Sequence, residues 1–524
     1  MLAALIYTIL AILLSVLATS YICIIYGVKR RVLQPVKTKN STEINHNAYQ
    51  KYTQAPGPRP IIGNLHLLDR YRDSPFAGFT ALAQQYGDIY SLTFGHTRCL
   101  VVNNLELIRE VLNQNGKVMS GRPDFIRYHL FGGERSNSLA LCDWSQLQQK
   151  RRNLARRHCS PRESSCFYMK MSQIGCEEME HWNRELLVPG EPINIKHLIL
   201  KACANMFSQY MCSLRFDYDD VDFQQIVQYF DEIFWEINQG HPLDFLPWLY
   251  PRHLNKIINW SSTIRGFIME RIIRHRELSV DLDEPDRDFT DALLKSLLED
   301  KDVSRNTIIF MLEDFIGGHS NLVMLVLAYI AKNVDIGRRI QEEIDAITEE
   351  KNRSINLLDM NAMPYTMATI FEVLRYSSSP IVPHVATEDT VISGYGVTIV
   401  FINNYVLNTS EKFWVNPKEF NPLRFLEPSK EQSPKNSKGS DSGIESDNEK
   451  LQLKRNIPHF LPFSIKRTCI GQNLVRGFGV VNVMQRYNIS SHNPSTIKIS
   501  PESLALPADC FPLVLTPREK IGPL

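Results

Sequence analysis

The segment PFSIKRTCIG, residues 462–471, sets Cys469 two positions after Arg467 and three after Lys466. Neighbouring cations and helix N–H groups stabilise a thiolate, so this sulfur is a candidate nucleophile or metal ligand; the plainer alternative is an inert structural thiol. Earlier in the chain, FEVLR (371–375) spaces Glu372 and Arg375 three apart, which puts a carboxylate and a guanidinium on one helix face where they can pair. A third group, GGHS at 317–320, sets His319 and Ser320, both able to pass protons, directly after two glycines. Each glycine inside an apolar helix costs about 1 kcal/mol relative to alanine. The pair marks either close helix packing or a local opening where a flat group or small ligand nears the backbone. His319 reads equally as a satisfied core histidine.

The elements that must carry these residues read mostly as helices. LELIREVLNQ (105–114), FQQIVQYFDEIFWEI (223–237) and IGRRIQEEIDAI (336–347) place apolar residues at helical spacing, and DIYSLTF (88–94) and TIVFINN (398–404) read as short strands. The longest helical pattern, Arg305 to Asn333, spans roughly 43 Å. Glu313, Asp314 and His319 inside it argue against a membrane span.

The net charge of +1 supplies no global basic field, so nucleic acid is not an expected partner. Ten cysteines without CxxC pairs or a compact disulfide framework point to reduced thiols facing the cytosol. Leu2 to Tyr26 carries no charged side chain and Lys29, Arg30 and Arg31 follow. A helix of that length, roughly 37 Å, crosses a bilayer, and the trailing cations keep the rest of the chain in the cytosol. Residues 1–27 therefore read as a transmembrane signal anchor, a cleaved signal peptide being the rival. Residues 28–54 read as a linker and 55–524 as one domain, in which the polar stretch 429–450 is a disordered insert.

The proline-rich APGPRPIIGN (55–64), the long Gly-Gly helix, FEVLR, and NPLRF (421–425) ahead of Cys469 together resemble the cytochrome P450 family, from the anchor to the C-terminus. The resemblance implies a mainly α fold with small β-sheets behind a single N-terminal transmembrane helix. It implies haem b, with Cys469 as axial ligand to the iron, a thiolate that favours O–O cleavage. Glu372, Arg375 and Arg424 become a buried triad beneath the haem loop, in which losing one partner costs about 3–5 kcal/mol. Arg467, His384 in SSPIVPHVATEDT, and Trp144 become partners of the haem propionates. Where the family has arginine four residues after that tryptophan this chain has Gln148, and Arg151 stands in. The run KRRNLARRH (150–158) reads by itself as a solvated helix face; the resemblance implies that it borders the face where an acidic flavin reductase docks and that NADPH acts indirectly through NADPH-cytochrome P450 reductase. The implied setting is the endoplasmic reticulum membrane with the catalytic domain facing the cytosol.

Within the family, GGHS, the insert after NPLRF, and RTCIGQNLVRGFG resemble the insect Spook and Spookier group, associated with early steps of ecdysteroid hormone synthesis. A monooxygenase acting on a sterol is implied. Independently, FLPWLY (245–250) and LPADCFPLVL (506–515) are expected to line a greasy pocket or to be core.

The chain also departs from its family. The acid and alcohol that follow the helix glycine elsewhere are Ser320 and Asn321 here, leaving Gly318, His319 and Ser320 as the candidate proton-handling residues. The family loop F-x-x-G-x-R-x-C lacks its glycine between Phe463 and Cys469, and GPRPIIGN and GYGVTIVF also run short. Two alternatives follow: a haem-thiolate isomerase or dehydratase needing no reductase, and a catalytically silent binding protein of the same fold. Separately, DSGIES resembles a DSGxxS degron, with Ser442 and Ser446 as possible phosphosites.

Overall fold

The computed structural model describes residues 7, 11–18, 56–71, 74–133, 137–159, 167–185, 190–238, 242–316, 320–349, 353–378, 382–396, 399–429, 451–465, 468–470, 478–499, 505–507 and 509–518. Helices dominate, and the helices around the site are α1 (Gln146–Cys159), α2 (Lys196–Cys212), α3 (Val221–Asn238), α4 (Arg305–Ile316), α5 (Ser320–Lys332), α6 (Val334–Ile347), α7 (Pro364–Tyr376) and α8 (Phe478–Arg486). The larger sheet has four strands, β1 (Ile89–Phe94), β2 (Thr97–Val102), β3 (His384–Val385) and β4 (Ile399–Ile402), in the order β1-β2-β4-β3. β1 and β2 form an antiparallel hairpin with Ile89 opposite Val102, and β4 runs parallel to β2 with Cys99 opposite Ile399. A smaller sheet joins Tyr487–Ser490, Leu513–Pro517 and Pro192–Ile193.

The centre of the fold is α5. Every residue from Ser320 to Ala331 is buried, as an all-round apolar helix requires. It packs in one cluster with side chains of α2, α6, α7, α8 and the C-terminal strand. The long pattern read as a single helix from 305 to 333 appears as α4 and α5, residues 317–319 lying outside the described set. Asn333 does not extend α5 but caps α6, its Oδ1 accepting from Asp335 N at 3.2 Å.

Other expectations meet the structure unevenly. Residues 105–114 are α-helical only to Arg109 and continue as a wider π-type turn over Glu110–Gln114. In FLPWLY the turn Pro247–Leu249 throws Trp248 outward, 64% exposed, so that residue lines no pocket. Leu506, Phe511, Leu513 and Leu515 of the C-terminal stretch are buried in the α5 cluster. Tyr7 and residues 11–18 are helical and exposed, with Ile12, Leu13, Leu14 and Val16 uncovered by protein. Ser442, Ser446 and residues 430–450 of the insert lie outside the described residues.

Candidate active site

α7 begins at Pro364, and Glu343 of α6 holds its start by accepting from Tyr365 N at 2.7 Å and from Thr366 N and Oγ1 at 2.8 and 2.7 Å. One face of this helix brings Glu372 and Arg375 together as a two-point pair: Arg375 Nε donates to Oε2 at 2.7 Å and an Arg375 terminal nitrogen to Oε1 at 2.8 Å. Arg424, on the short turn Pro422–Phe425, donates from Nε to the same Oε1 at 3.0 Å, and Asn421 N adds a fourth bond at 2.8 Å. Glu372 and Arg375 are fully buried and Arg424 nearly so. The remaining donors of Arg375 go to the carbonyls of Asn408, Pro417 and Glu419, so all five N–H bonds are used.

Rings connect this triad to the cysteine segment. Phe371, beside Glu372, and Phe425, beside Arg424, both contact Phe460, at centroid distances of 5.8 and 4.9 Å. Trp414 packs on Phe425 and lies under the guanidiniums of both Arg375 and Arg424. None of these aromatics was singled out by sequence reasoning, although FEVLR and NPLRF each carry one next to the charged residue. Beyond Phe460 the chain turns back so that Cys469 N donates to Phe463 O at 3.3 Å. Ser464 takes left-handed backbone there, φ +64°, where the family pattern leads one to expect glycine nearby. Ile61, in the other shortened motif, is likewise left-handed at φ +66°, an uncommon conformation for a β-branched residue.

Cys469 is exposed, whereas burial raises the thiols of Cys99, Cys142, Cys203, Cys212 and Cys510, those of Cys203 and Cys212 to about 12. Arg467 lies outside the described residues. Trp144 and His384 meet the same segment, Val118–Arg122: Trp144 N donates to Ser120 O at 3.2 Å, and His384 Nδ1 donates to Met119 O at 2.5 Å, which requires the proton on Nδ1. Of the two adjacent arginines on α1, Arg152 is the one that reaches the cysteine segment, bonding Thr468 O at 2.5 Å, while Arg151 turns to Asp302 O at 2.8 Å. Gln148 is spent on Ser138 O. Sequence reasoning also missed Arg122, whose guanidinium is pushed down to about 10 by burial, with Arg152 contributing like-charge repulsion.

On the other side, Ser320 and Asn321 open α5 and are both buried, while Gly318 and His319 fall outside the described residues. Asn321 Nδ2 donates to Asp231 at 3.1 Å and its Oδ1 accepts from Leu506 N at 3.2 Å. Asp314 accepts from Leu139 N at 2.5 Å. Glu313 is buried, and desolvation holds its carboxyl well above the usual range.

The donor chemistry fits a haem. The exposed Cys469 follows Thr468, whose carbonyl takes a bond from the buried Arg152, and Arg122 lies close enough to Arg152 to repel it, a concentration of positive charge that an anionic group answers. The family profile described as "Cytochrome P450" matches residues 54–511. The chain belongs to the cytochrome P450 family. It is accordingly a P450 monooxygenase, for which the family implies haem iron. Among curated relatives of this P450, cytochrome P450 307a1 of Drosophila melanogaster is 96% identical over 543 aligned positions, covering 100% of both chains. Because this P450 has 524 residues, at least 19 of those positions have no counterpart in it. Cytochrome P450 1A5 of Gallus gallus is 28% identical across 80% of each chain, and cytochrome P450 1B1 of Mus musculus is 27% identical across 71% of this P450 and 73% of its own length.

Proposed function

We propose that this P450 oxidises a sterol precursor in insect ecdysteroid synthesis, taking electrons from NADPH through NADPH-cytochrome P450 reductase. The observation that carries the reading is the near-identity over the full chain to cytochrome P450 307a1, joined to an exposed Cys469 on a loop braced by the Glu372 triad. Residues 1–27 anchor the protein in the endoplasmic reticulum membrane, 28–54 link, and the catalytic domain, 55–524, faces the cytosol. The uncovered apolar helix at 11–18 supports the anchor.

Bound haem supplies oxygen activation at a thiolate-held iron. The chain's own residues do the rest. Cys469 Sγ would be the ligand, and Arg375 and Arg424 fix the segment 408–421, on whose Trp414 the Phe460 ring packs ahead of the cysteine loop. Arg467, His384 and Trp144 would bind the propionates, with Arg152, on Thr468 O, in the place first assigned to Arg151, which is turned to Asp302. Ser320 Oγ carries protons inward, with Gly318 and His319, which lie outside the described residues, as its proposed partners, since the carboxamide of Asn321 is engaged at both ends. That engagement at the place where relatives carry an alcohol also favours a second reading, an isomerase or dehydratase independent of NADPH.

The full chain in membranes with reductase should convert a candidate sterol to a product heavier by one oxygen atom, only when NADPH is present. Turnover without NADPH selects the second reading. Reduced, carbon-monoxide-treated membranes that lack a strongly red-shifted haem band refute both and leave the fold as a silent binder.

A further inference from the structure

Three residues far apart in sequence close a buried ring with the C-terminal segment. Lys196, the first residue of α2, donates from Nζ to Asp231 Oδ2 at 2.5 Å, to Leu506 O at 2.7 Å and to Pro507 O at 3.2 Å, which uses all three of its protons. Asp231, on α3, accepts on its other oxygen from Asn321 Nδ2, and Asn321 Oδ1 in turn accepts from Leu506 N. The ring thus runs ammonium, carboxylate, carboxamide, the Leu506 N–H and C=O on successive peptide groups, and back to the ammonium. Lys196, Asp231, Asn321 and Leu506 are each at least 95% buried.

A buried ion pair is weak evidence of stabilisation, because desolvation offsets most of its attraction. A polar network with its polar atoms engaged instead selects one arrangement of the elements that meet in it. Here those elements are α2, α3, the first turn of α5 and the backbone at 506–507. We infer that Asp231 and Lys196 are positioning residues for the start of α5: the carboxylate orients the Asn321 carboxamide, and the ammonium holds the Leu506 and Pro507 carbonyls, so the start of α5 and the C-terminal segment keep one fixed relation. The functional weight of this assignment rests on the P450 reading of Ser320 given above. The geometric content does not.

The test separates an acceptor for Asn321 from mere charge balance. Lys196→Met with Asp231→Asn removes both charges but keeps an oxygen for the Asn321 amide; Lys196→Met with Asp231→Leu removes the charges and the oxygen. Site-resolved hydrogen exchange is read on the full chain at the Leu506 amide and at residues 321–325, with α7 as internal reference. The expected result is protection retained in the first double variant and roughly tenfold faster exchange in the second, confined to those two segments. Equal exchange in the two variants, or acceleration spread evenly through α7, overturns the inference. If both double variants fail to fold, Asn321→Ala decides: Leu506 exchange must rise while α7 is unchanged, and an unmoved Leu506 amide overturns it. Exchange is measured with or without haem, so failure of the haem reading leaves this outcome readable.

Discussion

Replacing Glu372 by glutamine removes the one negative charge that two arginines share. The carboxylate accepts two bonds from Arg375, one from Arg424 and one from Asn421 N, all between 2.7 and 3.0 Å. Glutamine keeps a single acceptor oxygen and turns an amide N–H₂ toward guanidinium N–H groups, donor facing donor. Arg375 has no water to turn to, being 1% exposed, and Arg424 is 9% exposed. Breaking a buried pair by neutralising one partner costs about 3–5 kcal/mol. With a urea dependence of about 3 kcal/mol per molar, the unfolding midpoint should fall by roughly 1–1.7 M. Tryptophan fluorescence is the natural readout, since the Trp414 ring lies 5.4 Å from the Arg375 guanidinium and 5.9 Å from that of Arg424. A loss below about 1 kcal/mol would show that solvent reaches the triad after all, and the bracing role assigned to it would fall.

Cys469→Ala should abolish the red-shifted carbon monoxide band while leaving the unfolding free energy of the haem-free chain within about 0.5 kcal/mol of the parent, because an exposed thiol contributes little packing; an unchanged band moves the iron ligand elsewhere. Ser464→Gly relieves left-handed backbone at φ +64° and should stabilise the fold by about 0.5–1 kcal/mol in the same titration, whereas a destabilised variant would mean the serine side chain matters more than its backbone. The raised carboxyl of Glu313 holds a proton in the folded state that the unfolded chain releases at ordinary carboxylate pH. Its contribution to stability is therefore present below the unfolded value and is lost as pH rises toward the folded one. Glu313→Gln should flatten that part of the pH–stability curve, and an unaltered slope counts against the burial argument.

How much of this was legible beforehand depended on how local each signal is. The i, i+3 spacing of Glu372 and Arg375 needs only helical geometry, and the structure pairs them face to face. Strand alternation likewise located β1 and the core of β4. Between Arg151 and Arg152 the sequence offered no choice. Adjacent residues on a helix point about 100° apart, so only the phase of α1 against the cysteine segment sends Arg152 to Thr468 and Arg151 to Asp302. The Lys196, Asp231 and Asn321 ring was beyond reach, since no spacing rule connects residues whose proximity arises from three helices meeting. Within FLPWLY the core reading holds for Leu246 but not for Trp248, because hydrophobicity says nothing about the turn at Pro247 that faces Trp248 outward.

The complete covering of α5 has a consequence for biosynthesis. Gly479 of α8 leaves no room for a side chain, as a Cβ there would sit 2.9 Å from Val323, and Val480, Val481, Val483 and Met484 finish the casing. While the polypeptide leaves the ribosome, then, the central rod of its fold waits uncapped until residues 478–486 have been made. A message cut short before that point yields a sticky fragment for chaperones and proteases, not a smaller working protein.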